Sequence, residues 1–224
     1  MGEKKNARKV DLSLEFLSVM QKPFWAIRES SLRHLADTVR NHEAFFFFDD
    51  FFEERDKNDF SDFVSVDAGI ARVTIDKTIS NKTSGWISKY FSDCDRIRKA
   101  LKKLVEDTNV ESIVLDIDSP GGTVDGVSEL ANYIFSLRDK KHIVSVTSGY
   151  MASAAAWIGL ATEKVYATRT SWVGSIGVLF SHYSTQKMDE ELGLSFTNLK
   201  TGKWKDLGSS IKDLDAESTD KLQE

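Results

Sequence analysis

Apolar and polar positions alternate along this chain with two periods that trade places from Val64 onward. "VSVDAGIARVTI" has the alternation of a strand pair or a bent strand, and "SDCDRIRKALKKLVEDTNV" sets Ile97, Leu101, Leu104 and Val105 on one helical face. "ESIVLDID" is a short β-branched strand. "GTVDGVSELANYIFSLRD" predicts a helix with Val127, Leu130, Ala131, Ile134 and Leu137 on its apolar side, and "HIVSVTS" a third strand. Beyond them come an alanine-rich helix from about residue 153, short strands at "KVYAT" and "SIGVLF", a helix around "TQKMDEELG" and a strand at "SFTNLK". Repeated strand–helix alternation predicts an α/β fold with a mostly parallel, buried sheet.

The first sixty residues follow a different pattern. In "PFWAIRESSLRHLADTVRN", Ile27, Leu32, Leu35 and Val39 stand at near-helical spacing after Pro23, which predicts an amphipathic helix. "EAFFFFDDFFEERDKNDFSDF" mixes phenylalanine with acid and fits neither period. It reads as an extension packed on a neighbouring subunit, or more sharply as a peptide-like plug or partner-docking segment. The chain therefore divides into an N-terminal extension, 1–62, and a main domain, 63–224.

Composition narrows the function classes. The chain has 224 residues, 41% hydrophobic and 29% charged, enough for one real core with an appendage. A net charge of −5 leaves no basic face for neutralising phosphates, so nucleic acid is not an expected partner. Cys94 is the only cysteine and the N-terminus lacks an apolar signal core, which argues for a reducing, cytoplasmic setting. No run approaches the roughly 18–20 apolar residues of a membrane span, so no membrane anchor is expected.

Functional groups of an α/β fold gather where strands end and helices begin. At one such junction, "LDIDSPGGTVDG", the strand runs into Ser119-Pro120-Gly121-Gly122. Paired glycines there permit positive φ and close approach of a ligand to main-chain N–H groups. At the other, "VTSGYMASAAAW", Ser153 is delivered to a helix start, where unpaired N–H donors favour negative charge. Together they suggest a nucleophile, Ser153, beside an oxyanion hole built from the N–H groups of Gly122 and Ala154. Gly121 and Tyr150 are read as substrate-binding, and Asp118 as a turn former. Alone, a serine at a helix start is ordinarily a cap.

The serine needs a base. His34 and His42 lie in the extension, His142 begins a strand, and only His182 falls near a predicted strand end. Lysine is the alternative: "LKTGKWKDLGSS" supplies Lys200, Lys203 and Lys205, with Trp204 available to shield one of them from water. A lysine in water has a pKa near 10.4, so a lysine base needs its ammonium disfavoured by about 4 kcal/mol, which burial supplies. Asp206 would oppose this if it faced the same amine, and is expected to point elsewhere.

"IVLDIDSPGGTVDG", "SGYMASAAAWIGLATEKVYAT", "SWVGSIGV" and "GLSFTNLKTGKWKD" occur in order over roughly residues 64–213. They resemble the successive motifs of the S49 serine peptidases, the signal peptide peptidase A family, and within it most closely the head-maturation proteases of tailed bacteriophages. The resemblance implies a Clp-protease/crotonase-like spiral fold and a serine–lysine dyad. It places the nucleophile on Ser153, the general base on Lys205, and the serine that orients this lysine on Ser175. It implies a polypeptide substrate (capsid, portal or scaffold protein) met in the bacterial cytoplasm or the procapsid. It also implies a homo-oligomer with active sites near subunit interfaces, and neither cofactor nor metal. A crotonase-like acyl-CoA enzyme and a non-catalytic assembly protein are the rival readings. The ending "DLDAESTDKLQE" stops partway into a predicted helix, which suggests a C-terminal truncation.

Overall fold

The computed structural model describes residues 24–27 (backbone only), 59–83, 88 and 90–224. The chain falls into two compact units, Met1–Leu179 and Phe180–Glu224. In chain order the elements are β1 (Phe24–Ile27), β2 (Val64–Asp67), β3 (Ile70–Ile75), β4 (Thr78–Ser80), β5 (Phe91–Asp93), α1 (Cys94–Glu106) and β6 (Ser112–Ile117). Then come β7 (Gly121–Thr123), α2 (Val127–Leu137), β8 (His142–Thr147), β9 (Tyr150–Ala152), α3 (Ala154–Leu160), β10 (Lys164–Ala167) and β11 (Trp172–Gly174). β12 (Leu179–Phe180), α4 (Gln186–Glu191) and α5 (Ala216–Gln223) complete the order.

The main sheet runs β10-β8-β6-β3-β2. Its pairs β3–β6, β6–β8 and β8–β10 are parallel, and only the β2–β3 hairpin is antiparallel. The hairpin closes through Ala68 and Gly69, both at positive φ (45° and 79°), as a two-residue turn matched to strand twist requires. The fold is thus the α/β arrangement with a mostly parallel sheet that the alternation predicts.

Burial follows the predicted faces. Along β6 every second residue is buried: Ile113, Leu115 and Ile117. α1 buries Cys94, Ile97, Ala100, Leu101 and Leu104, and α2 buries Val127, Leu130, Ala131, Ile134 and Leu137. These side chains join Val73, Ile75, Met151 and the alanines of α3 in one core. Asp93 caps α1, its carboxylate accepting the N–H groups of Asp95 and Arg96 and so satisfying donors the first helical turn leaves free.

Three local predictions are corrected. Phe24–Ile27, placed by its spacing at the start of an amphipathic helix, is a strand whose backbone pairs antiparallel with β7. Pairing with a neighbour overrides so short a periodic signal. The rest of that predicted helix and the Phe/acid segment up to residue 58 lie outside the described residues. "SFTNLK" forms no strand: residues 194–200 are irregular and exposed. A lone alternating segment has no ladder to join, and strands need a partner. Of "SIGVLF" only Leu179–Phe180 is extended, while an unforeseen strand forms just before it, at Trp172–Gly174.

Since Ile117 is fully buried at the end of β6, where the strand hands the chain to the first junction, Ile117→Ala should cost about 2–5 kcal/mol. A fall in Tm of roughly 5–15 °C by calorimetry is the expected reading.

Candidate active site

Both predicted junctions lie in one unit and are laced together by backbone. Past the end of β6, Asp118 accepts the Tyr150 N–H on its carboxylate at 2.8 Å. Ser119 donates its N–H to Tyr150 O at 2.6 Å and accepts the Ala152 N–H at 3.1 Å. The Ser119 hydroxyl donates to Lys77 O at 2.7 Å and accepts the Gly121 N–H at 3.3 Å. Asp118, read as a turn former, makes this contact across to the second junction rather than within its own turn. The Ser-Pro-Gly-Gly turn and the strand leading to Ser153 behave as one rigid piece.

Ser153 joins β9 to α3 in a single residue, with φ 56° and ψ −117°. That is the region of the first central residue of a type II′ turn, which favours glycine; a side chain there costs about 1–3 kcal/mol. Its N–H donates to Gly174 O at 2.7 Å, which fixes the turn from the far side. The side chain is buried, 6% exposed, and makes no capping hydrogen bond, so the ordinary reading of a helix-start serine does not hold. The helical ladder begins only with Trp157 N–H to Ser153 O at 3.0 Å. The N–H groups of Ala154, Ala155 and Ala156 precede it and have no intrahelical acceptor.

Ser175 comes beside Ser153 through strand register. β9 and β11 are parallel with Met151 opposite Val173 and Ala152 opposite Gly174. The next position on each strand is therefore a serine, and both have φ 56°. The structure also gathers Tyr150, whose ring centroid is 6.3 Å from that of Trp172, and the buried Gly121 and Gly122. Gly121 has the positive φ (99°) foreseen for the turn. At Gly122 the close approach is made by the chain itself: a Cβ there would stand 1.8 Å from Ile79 O of β4.

The base candidates belong to other surroundings. His142 Nδ1 lies 2.6 Å from the Glu163 carboxylate and His182 Nε2 lies 3.2 Å from Lys212 O; His34 and His42 lie outside the described residues. Lys205 belongs to the second unit, where it is exposed and follows an irregular segment rather than a strand. Trp204 covers Lys203, whose ammonium sits 4.7 Å from its ring centroid, and Lys203 also pairs with Glu217. Asp206 does point elsewhere: its carboxylate is held by Lys200 and by Lys212, the latter at 2.9 Å. Among the described residues, Lys205 is the one lysine of 200–212 with no acidic partner.

The junctions, the glycine turn and the serine were visible in the sequence. Missed were β11 and the paired left-handed serines, for which the short run Trp172-Val173-Gly174 was the available signal.

Two outcomes follow. With strain at Ser153, Ser153→Gly should be more stable than Ser153→Ala by roughly 1 kcal/mol, seen as a Tm about 2–4 °C higher; equal stability would remove the strain. Hydrogen bonds from Lys200 and then Lys212 hold Asp206 down from 3.8 to about 2. A depressed carboxylate stabilises the fold above about pH 4 and loses that effect as pH falls through 2. The Tm gap between wild type and Asp206→Asn should accordingly be full above about pH 4 and close towards pH 2.

The chain is similar to several known proteins. Over 159 residues the chain is 31% identical to the head-tail preconnector protein GP5 of Enterobacteria phage P21, an alignment covering 70% of this chain and 31% of that protein. Over 157 residues it is 28% identical to capsid assembly protease C of Escherichia phage lambda, covering 69% and 36% respectively. The chain spans about a third of the length of these two relatives. Among solved structures, an enoyl-CoA hydratase/isomerase family member aligns with 60% of this chain and 53% of its own, at 17% identity and a TM-score of 0.39. No helix among the described residues is long and apolar enough to cross a membrane. Residues 136–224 match the family model of peptidase family S49.

Proposed function

We propose that this protein is a serine endopeptidase of the Ser–Lys type. Ser153 attacks the carbonyl carbon of a peptide bond while Lys205, as the neutral amine, takes the hydroxyl proton. The oxyanion of the tetrahedral intermediate is received by the N–H groups of Gly122 and Ala154. Collapse expels the amine of the leaving chain, which takes the proton back from Lys205. Water, giving its proton to the same amine, then attacks the acyl-serine, and collapse breaks the bond to the Ser153 oxygen, which takes that proton from Lys205 as the carboxylate is freed. Ser175 orients the lysine by hydrogen bonding. Gly121 and Tyr150 contact the substrate.

One observation carries this reading: a buried, uncapped serine hydroxyl held in a costly backbone conformation, one step past the β9–β11 ladder and beside a second serine that also has positive φ. Strain of this kind persists where the surroundings over-determine it, and it concentrates at working sites. The rest of the assignment needs cover for Lys205, because an exposed ammonium in water does not give up its proton at neutral pH. We assign that cover to bound substrate or to a neighbouring copy of the chain. A homo-oligomer is supported by the apolar run flanking Ser175, where Trp172 is 66%, Ile176 78% and Val178 59% exposed in the single chain. The phage relatives support capsid, portal or scaffold protein as substrate, cut in the host cytoplasm or procapsid.

A fluorophosphonate probe, with peptide mapping by mass spectrometry, should place an adduct on Ser153 in the assembled protein. Lys205→Ala should slow labelling by roughly 10²–10⁴-fold. Mixing Ser153→Ala with Lys205→Ala chains should recover part of the peptidase activity if the dyad forms between copies. No adduct on Ser153, together with unchanged processing of co-expressed head proteins by Ser153→Ala, would leave a non-catalytic assembly role instead.

A further inference from the structure

The strand next to the glycine turn is supplied by the chain's own N-terminal region. β1 pairs antiparallel with β7, Trp25 opposite Thr123, Ala26 opposite Gly122 and Ile27 opposite Gly121. The segment thus lies along the two glycines assigned above to the oxyanion hole and to substrate binding. Its direction matters: running antiparallel, the chain leaves Ile27 at the Gly121 end of β7. That is the end joined through Ser119 to the strand carrying Ser153. A polypeptide laid on this edge in the same direction would be led toward the serine.

β1 is an inner strand of the sheet β12-β1-β7-β4-β5, held by the two residues of β12 on one side and by β7 on the other, and neither hold is long. The ladder covers three residue pairs, and β7 itself has only three residues, two of them glycine. Thr123 Oγ1 is buried with no hydrogen-bond partner. A strand built permanently into a core rarely leaves such an orphan. Adding a strand to a sheet edge through main-chain hydrogen bonds is also a common way for proteins to hold an extended peptide.

We propose that Phe24–Ile27 is an internal occupant of the peptide-binding edge, a strand that must leave β7 before a substrate strand takes its place. The inference rests on the peptidase reading for its consequence and on the β1–β7 pairing for its substance. Access to Ser153 is then limited by the fraction of time the edge is free, since apparent affinity falls by that fraction.

The test uses the full chain with Trp25→Pro and Ala26→Pro combined, because alternate residues of a strand face a given neighbour, so one of two consecutive prolines removes a donor to β7. Hydrogen exchange of the amides at Gly122 and Thr123 reads edge occupancy, since the Gly121 N–H is already bound by Ser119, and fluorophosphonate labelling of Ser153 reads access. The expected result is deprotection of β7 in the variant and labelling roughly tenfold faster than wild type, as for an edge free about a tenth of the time. A free peptide spanning residues 20–31 should return both readings toward wild type. In wild type itself, the amides at 25–27 and 122–123 should exchange slowly together, which keeps the idea testable if the variant does not fold. Equal labelling of wild type and variant would overturn the internal occupant and leave the nucleophile standing. Deprotection without labelling of either protein would sink the peptidase reading and leave the occupant standing. Rapid exchange at 25–27 in wild type would overturn the occupant outright.

Discussion

The backbone of Ser153 is the constraint from which the rest of the site follows. A parallel strand pair, β9 on β11, fixes the chain up to Ala152, and the Ser153 N–H to Gly174 O bond fixes the next peptide. α3 must then start at Ala154, since Ala154, Ala155, Ala156 and Ile158 are all fully buried against the core. One residue is left to turn a strand into a helix, and φ 56°, ψ −117° is how it does so. Glycine would make that turn without strain. A serine there forfeits about 1–3 kcal/mol and gains nothing by capping.

Support for the strained turn comes from short-range hydrogen bonds rather than from bulk. Asp118 and Ser119 tie the glycine turn to both ends of β9. Ser119 in turn is tied to Lys77 by its hydroxyl, so the β3–β4 connection also holds the site. The close fit of Gly122 under Ile79 O extends this rigidity to β7. Every link in this chain of contacts limits motion of Gly122 relative to Ser153. The second unit is organised differently. Asp206 gathers Lys200 and Lys212, and Glu217 takes Lys203, a surface ionic frame from which Lys205 is left out.

How much of this was legible in the sequence depends on the range of the interaction. The faces of α1, α2 and β6 are written in apolar spacing, and each buried residue predicted for α2 is buried. Of the strand pair and the bent strand that "VSVDAGIARVTI" allowed, the chain forms the pair. β1 and β11 were not legible, because three or four residues carry no periodic signal of their own and become strands only through a partner found elsewhere. For the same reason "SFTNLK" alternates convincingly yet stays irregular. At the site, residue types marked Ser153 and the glycine turn, while the left-handed pair of serines depends on the β9–β11 register, which no local pattern announces. Which of three lysines Trp204 would cover was likewise a matter of side-chain packing, and it is Lys203.

An edge made to receive a peptide presents a physical problem before the peptide arrives. Unpaired backbone N–H and C=O groups beside apolar side chains invite wrong partners, and proteins manage such edges by covering them. A tight cover would abolish binding, and no cover would invite aggregation. On the proposal above, a short strand between two-residue β12 and three-residue β7 would meet both demands, its few hydrogen bonds satisfying the edge while a longer, better-matched polypeptide outcompetes it. The orphaned Thr123 hydroxyl fits the same logic: a guest with a polar group at that position would bring β7 a bond that the resident strand does not supply, and the exchange would then run in favour of the guest.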